Sequence, residues 1–183
     1  LSKSNRSFFY PSVSLSYIFT EMLNNMGTNL PNWMSYGKLR ASYAAVGNDL
    51  TPYQLYNTFL IGKDPNNNTT ATRRNTLFDP NVQSELIKST ELGLEMRFLN
   101  NRIGFDLAWY KSNATKQLID LPMDPQSGYS TKKINAGDVQ NTGIELMVDG
   151  KVLSKEKGLN WSLSVNYSAN NNTVEELSEG VTK

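Results

Sequence analysis

The chain has no cysteine and no histidine. These absences remove disulfides, thiol nucleophiles, histidine-based triads and ordinary zinc or haem sites. Net charge is nearly absent too: 18 Lys and Arg stand against 17 Asp and Glu, which leaves +1. Nucleic acid is therefore not an expected partner, because there is no basic field to draw it. No apolar run approaches the ~20 residues of a membrane-crossing helix. The length, 183 residues, suits one domain. Carboxylates remain as candidates for calcium or acid–base chemistry.

What the sequence does have is alternation. Glu91–Tyr110 is two alternating runs around Asn100-Asn101. A two-residue hairpin turn of type I′ needs φ > 0 at both central positions, and Asn tolerates this well. With that tip, Phe98 faces Ile103, Met96 faces Phe105, Leu94 faces Leu107 and Leu92 faces Trp109, and the turn pair is Leu99 and Arg102. One face is apolar throughout. The other carries Glu91 with Tyr110, Glu95 with Asp106, and Arg97 with Gly104. Helical spacing would scatter these apolar residues, so period 2 identifies a hairpin with one oily and one wet face.

The same pattern recurs along the chain. Ser12–Phe19 sets Val13, Leu15, Tyr17 and Phe19 against Ser12, Ser14 and Ser16. Residues 33–46 alternate through Leu39, Ala41, Tyr43 and Ala45. Residues 138–148 carry Ile144, Leu146 and Val148, and residues 159–169 carry Trp161, Leu163, Val165 and Tyr167, with Asn170-Asn171-Asn172 expected to end that strand. The fourth strand is expected to run to about Ile119. Glu21–Pro31 has room for a short helical turn. Residues 50–84 show no period. The turns at 100–101 and 149–158 are short, the link at 20–32 is moderate, and the links at 47–85 and 113–137 are long. In a meander, both long links then lie at one end of the sheet. Short turns at one end and long loops at the other characterise outer-membrane barrels.

A soluble β-sandwich that binds carbohydrate alternates in the same way and stays the competing reading. Three features favour the barrel. Each apolar face spans about four alternating residues, near the ~9–11-residue strand that crosses a bilayer. Aromatics gather at both strand ends, with Trp33, Tyr36, Phe98 and Trp161 at the short-turn end and Trp109 and Tyr110 at the long-loop end. The polar faces are rich in Ser, Gly and Asn. Glu95 opposite Asp106 requires a neighbouring cation, from Arg97 or another strand, to avoid repulsion. The expected fold is all-β: an antiparallel up-and-down meander of about six or more strands. Six strands cannot close a membrane barrel, which needs about eight, so they form part of a large transmembrane β-barrel.

Four segments carry a family resemblance. Phe8-Phe9-Tyr10-Pro11-Ser12-Val13-Ser14-Leu15 resembles a Phe-Phe-Pro-Ser-x-Ser strand. Lys38-Leu39-Arg40-Ala41-Ser42-Tyr43 with Gly47-Asn48 resembles a Lys-Leu-Arg-x-Ser-Tyr-Gly-x-x-Gly-Asn stretch, with Ala44 where Gly is usual. Thr90–Glu95 through Tyr110–Ser112 is similar to a central hairpin. Asn135–Leu146 resembles Asn-x-Gly-x-x-x-Asn-x-Gly-x-Glu. Together they resemble the C-terminal half of the barrel of SusC/RagA-like TonB-dependent outer-membrane transporters of the Bacteroidetes. Residues 79–85 depart from the family, lacking the Trp of its Leu-x-Trp-Glu run.

The resemblance implies a Gram-negative outer-membrane location, contact with its lipid, and import of an oligosaccharide or peptide with energy from TonB. It also implies a SusD-like surface lipoprotein over the long loops. On this reading residues 1–183 are a partial barrel domain, and the plug and TonB-contacting segment belong to a missing N-terminal part. No catalytic, metal or cofactor site is expected. Asp64-Pro65-Asn66-Asn67-Asn68 starts like a calcium loop, but Thr69 and Asn75 stand where Gly and Glu belong, so a polar loop is expected. Glu95 and Asp106 form a carboxylate pair of the kind glycosidases use, in a face of Gly, Ala and Ser that reads better as lumen lining. Glu95, Arg97 and Asp106 are the expected lumen residues. Tyr53, Tyr56 and Tyr129, in Asn-rich loops, are the candidate contacts for substrate or partner.

Overall fold

The computed structural model describes residues 7–28, 30–51, 56–154 and 158–177. Its strands are β1 (Ser12–Ile18), β2 (Met34–Asn48), β3 (Phe59–Lys63), β4 (Thr69–Arg73), β5 (Thr76–Phe78), β6 (Glu85–Phe98), β7 (Ile103–Pro122), β8 (Thr131–Leu153) and β9 (Trp161–Glu176). A helix, α1 (Phe19–Asn25), follows β1. Strands β1-β2-β6-β7-β8-β9 form one antiparallel meander, each pairing with the next. The all-β meander expected from the alternation is the observed fold.

The β6–β7 hairpin has the register that period 2 requires, from Phe98 with Ile103 to Leu92 with Trp109. Its tip differs from expectation. Leu99, Asn100 and Asn101 are all left-handed, with φ of 52°, 54° and 61°. Arg102 N–H donates to the carbonyls of Phe98 (3.0 Å) and Leu99 (3.2 Å). The loop is thus Leu99–Arg102, and these two residues do not form the facing pair of a two-residue turn. A left-handed Leu is costly. Its N–H is held by the carbonyl of Trp33 at 2.9 Å, which ties the tip to the start of β2.

Lateral rows run across the sheet. Tyr17, Leu39, Leu94, Leu107, Leu146 and Tyr167 form one, and Leu15, Ala41, Leu92, Trp109, Ile144 and Ala169 form the next. Among the described residues nothing covers them. Leu15, Leu39 and Leu92 are 68 %, 48 % and 51 % exposed. Leu94, Met96, Phe105 and Leu107, which a sandwich would bury against a second sheet, are only half-buried. The six-strand meander is a single layer, with β3 and β4 forming a separate two-stranded sheet, and the sandwich reading is not favoured.

Register corrects the girdle in two places. Trp33 stacks on Phe98 at 5.8 Å, and Trp109 lies in an apolar row. Tyr36 pairs with Arg97 and Tyr110 with Glu91, so both lie on the polar face.

Where β1 stops, α1 takes over its pairing. The Thr20 hydroxyl accepts from Gly37 N–H at 3.2 Å, and the Phe19 ring lies against Gly37. A side chain there would collide with that ring.

Strands outrun their sequence signals at the long-loop end. β7 reaches Pro122, and β8 begins at Thr131 rather than near Asp138, so the link expected over 113–137 shrinks to 123–130. β9 continues through Asn170-Asn171-Asn172 to Glu176, with these Asn paired to Gly143, Thr142 and Asn141. Asn disfavours strands locally, but an existing ladder on β8 overrides propensity. The aperiodic stretch 50–84 also contains structure: a β3–β4 hairpin and β5. Asp64 organises the hairpin turn, its carboxylate accepting from Asn66 N–H (2.9 Å), Asn68 N–H (2.8 Å) and Asn68 Nδ2 (3.1 Å). These bonds hold its carboxyl below the usual carboxylate range, the Asn68 side chain most strongly.

Candidate functional site

Two arrangements carry chemistry, one on the polar face and one at the long-loop end. On the polar face, Glu95 and Asp106 do stand opposite each other. Cations from the neighbouring strand separate them. Lys38 Nζ of β2 lies 2.6 Å from Glu95, and Arg40 donates to Asp106 at 2.7 Å. Arg97 sits 3.7 Å from both Glu95 and Asp149 and extends the lattice onto β8. Glu95, Arg97 and Asp106 are therefore brought together, and alternating sign replaces the repulsion the sequence suggested. Lys38, Arg40 and Asp149 were not identified from the sequence. Their signal was their parity: each falls on the face of its own strand opposite the apolar rows.

Glycines make the lattice possible. A Cβ added at Gly93 would sit 2.7 Å from Arg40 Nε, and one at Gly104 would meet the Asp149 carboxylate. The hydroxyl end of the Tyr110 ring lies over Gly143 in the same way. Without side chains on one strand, long side chains from the next can lie across it. With both carboxylates engaged by cations, the pair is arranged as an ionic lining rather than as an acid and a base set apart by environment.

At the other end the two loops are joined. β5 pairs in parallel with the start of β8, Thr76 with Thr131 and Phe78 with Lys133. It fills the edge of β8 that lies beyond the end of β9. The Asn135 side chain acts as a clamp: Oδ1 accepts from Gln83 N–H at 2.6 Å, and Nδ2 donates to the carbonyls of Gln83 (2.8 Å) and Lys116 (2.9 Å). Glu85 Oε1 accepts from Leu118 N–H at 3.0 Å, at a point on β7 beyond the reach of β6. Lys116 Nζ donates to Gln83 Oε1 at 2.6 Å.

The candidate tyrosines separate. Tyr53 lies outside the described residues. Tyr56 is 66 % exposed. Tyr129 carries the Arg73 guanidinium 4.1 Å from its ring centre, and Arg73 also donates to the carbonyl of Gly128. One face of that ring is thus occupied by the other loop. Among the described residues no group of three or more acidic side chains is placed to hold a metal ion. No described helix is long and apolar enough to cross a membrane, which says nothing about strands.

Comparison with known proteins agrees with this geometry. TonB-dependent receptor P3 of Formosa agariphila is 26 % identical over 98 % of this chain, and TonB-dependent receptor SusC of Bacteroides thetaiotaomicron is 27 % identical over the same share. The chain spans only 18 % of the length of each. Among solved structures, the RagAB peptide transporter superposes on 98 % of this chain and 19 % of its own, with a TM-score of 0.82 and 25 % identity. The RagAB peptide importer in its closed-closed state gives a TM-score of 0.83 at 24 % identity, again over 98 % of this chain and 19 % of its own. The family model for the TonB dependent receptor-like β-barrel matches residues 1–182. With that match and the one-layer sheet, the chain belongs to the β-barrel domain family of the TonB-dependent receptors.

Proposed function

We propose that this chain is a wall segment of an outer-membrane transporter that imports oligomeric nutrients, glycans or peptides, with TonB-supplied energy. The observation that carries the reading is the two-faced single sheet. Among the described residues its apolar face is uncovered, its polar face is ion-paired, and both outer edges, on β1 and β9, are unpaired. Open edges are excluded within a bilayer, so neighbouring strands of a larger barrel would complete them. The apolar face then meets lipid, and Glu95, Arg97 and Asp106 line the lumen. The link between β2 and β6, and that between β7 and β8, face outward, where a SusD-like lipoprotein would sit. The relatives are receptors and transporters, and the ion-paired carboxylates speak for the same non-catalytic role.

These 183 residues contain no cysteine, so a single introduced thiol reports on its own position once any cysteine elsewhere in the full-length protein is replaced. In the full-length protein in cells, Ala108→Cys is expected to react with a water-soluble maleimide. Leu94→Cys is expected to react only with a lipid-soluble one. Equal aqueous labelling at both positions would end the transporter-wall reading.

For substrate contact we propose Tyr53 and Tyr56, with Tyr129 positioned through Arg73. Aromatic faces beside Asn amides suit sugar rings or peptide planes. Alanine at both Tyr53 and Tyr56 is expected to weaken oligomer binding by the intact transporter, roughly 10-fold if two ring contacts at ~0.5–1 kcal/mol each are lost. Unchanged affinity would sink that assignment.

A further inference from the structure

The polar face and the apolar face treat their cations differently. Lys38, Arg40 and Arg97, on the polar face, each meet a carboxylate. Lys88 and Lys111 have the opposite parity, in line with Leu92 and with Trp109. They emerge on the apolar face, and both are exposed. Neither has an ion-pair partner among the described residues. They sit on adjacent strands: Lys88 pairs with Asn113, and Thr90 pairs with Lys111. That makes the two lysines diagonal neighbours, about 7–8 Å apart at the backbone, so two flexible side chains converge on one anion.

Their height on the sheet matters as much as their charge. The row formed by Leu15, Ala41, Leu92, Trp109 and Ile144 is the last apolar row toward the long loops on β6–β8. Lys111 lies in the next row, with Tyr43, Thr90 and Thr142 beside it, and Lys88 lies one row further, beside Asn113. Two carboxylates lie higher on this face: Asp138, engaged by Asn113 Nδ2 at 3.0 Å, and its pairing partner Glu176, two strands away from Lys111 on β9. The surface is thus a cation pair rimmed by hydroxyls and amides, immediately above an apolar band whose last row holds Trp109.

Resting on the transporter-wall reading, we propose that Lys88 and Lys111 hold the phosphate of a membrane lipid in the leaflet beside the long loops. Acyl chains below would lie along Leu92, Trp109 and Ile144. The headgroup phosphate would meet both ammonium groups, and neutral polar side chains would supply the remaining hydrogen bonds.

The test uses the full-length barrel in detergent, with dioleoyl phosphatidic acid and dioleoylglycerol as probes and native mass spectrometry as readout. The unaltered protein should retain phosphatidic acid in preference to dioleoylglycerol. The Lys88→Gln/Lys111→Gln double variant should lose that preference on the order of tenfold, since each interfacial Lys contributes appreciably to holding an anionic lipid. Lys63→Gln, in the β3–β4 hairpin, should behave as the unaltered protein. Equal retention by the double variant would overturn the lipid site, as would an unaltered protein with no preference for the phosphate. A full-length protein that remains soluble and monodisperse without detergent would overturn the membrane reading itself, and this inference with it.

Discussion

Leu107→Arg should destabilise the folded barrel by about 2–4 kcal/mol in a phospholipid bilayer, the cost of a cation on the lipid face near the midplane. Leu107 lies mid-row between Leu94 and Leu146, with apolar rows on either side. An Arg there could reach water only by crossing several apolar side chains. Ser168→Arg is the matched comparison. Ser168 pairs with Glu145 on the polar face, so the new cation meets water and a carboxylate. Its cost should stay within about 0.5 kcal/mol, as for other surface changes away from packed features. Urea unfolding of the full-length barrel in vesicles measures both. Equal costs would mean that the two faces meet the same solvent, which a barrel wall does not allow.

The second large effect is expected from Asn135→Ala. One side chain satisfies the backbone N–H and C=O of Gln83 and the carbonyl of Lys116. Losing such bonds costs about 0.5–1.5 kcal/mol each, and more where a partner is left dry. The local sum is about 2–4 kcal/mol. It should appear as release of the link between β2 and β6 rather than collapse of the sheet, because the β6–β9 ladders do not depend on Asn135. Hydrogen exchange of peptides covering residues 76–85 should speed up by about 30-fold or more, at roughly 1.4 kcal/mol per factor of ten. Peptides within 92–98 should not change. Exchange at residues 76–85 that matches the unaltered protein would show that β5, and not the clamp, holds the loop.

These two residues differ in how visible they were. Leu107 sits in a run where one face is oily and the other wet, so period 2 fixes its side, its register and its partners. Asn135 sits where both faces are wet. Along residues 131–143 of β8 there is no apolar alternation to read, and the strand exists because β7 on one side and β5 and β9 on the other complete its ladder. β5 itself is three residues long and parallel to a strand far away in the chain, so nothing local announces it. The ion pairs fall between these cases. Glu95, Arg97 and Asp106 were legible as one face of a hairpin. Lys38, Arg40 and Asp149 needed the order of strands before they became neighbours. The apolar band was legible from chemistry alone, whereas the loop architecture depended on topology.

The pairing of β5 with β8 also sets an order of events. The β6–β7 pairing is local, running from Phe98 with Ile103 to Leu86 with Thr115, and such low-separation contacts form early. Thr76 and Thr131 meet across a separation of 55 residues, and Gln83 meets Asn135 across 52. The β6–β7 hairpin and β8 must be in place before that site exists. The link between β2 and β6, emerging from the ribosome well before β8, therefore docks late. The longest link of the chain is thus still unmoored after the hairpin beside it has closed.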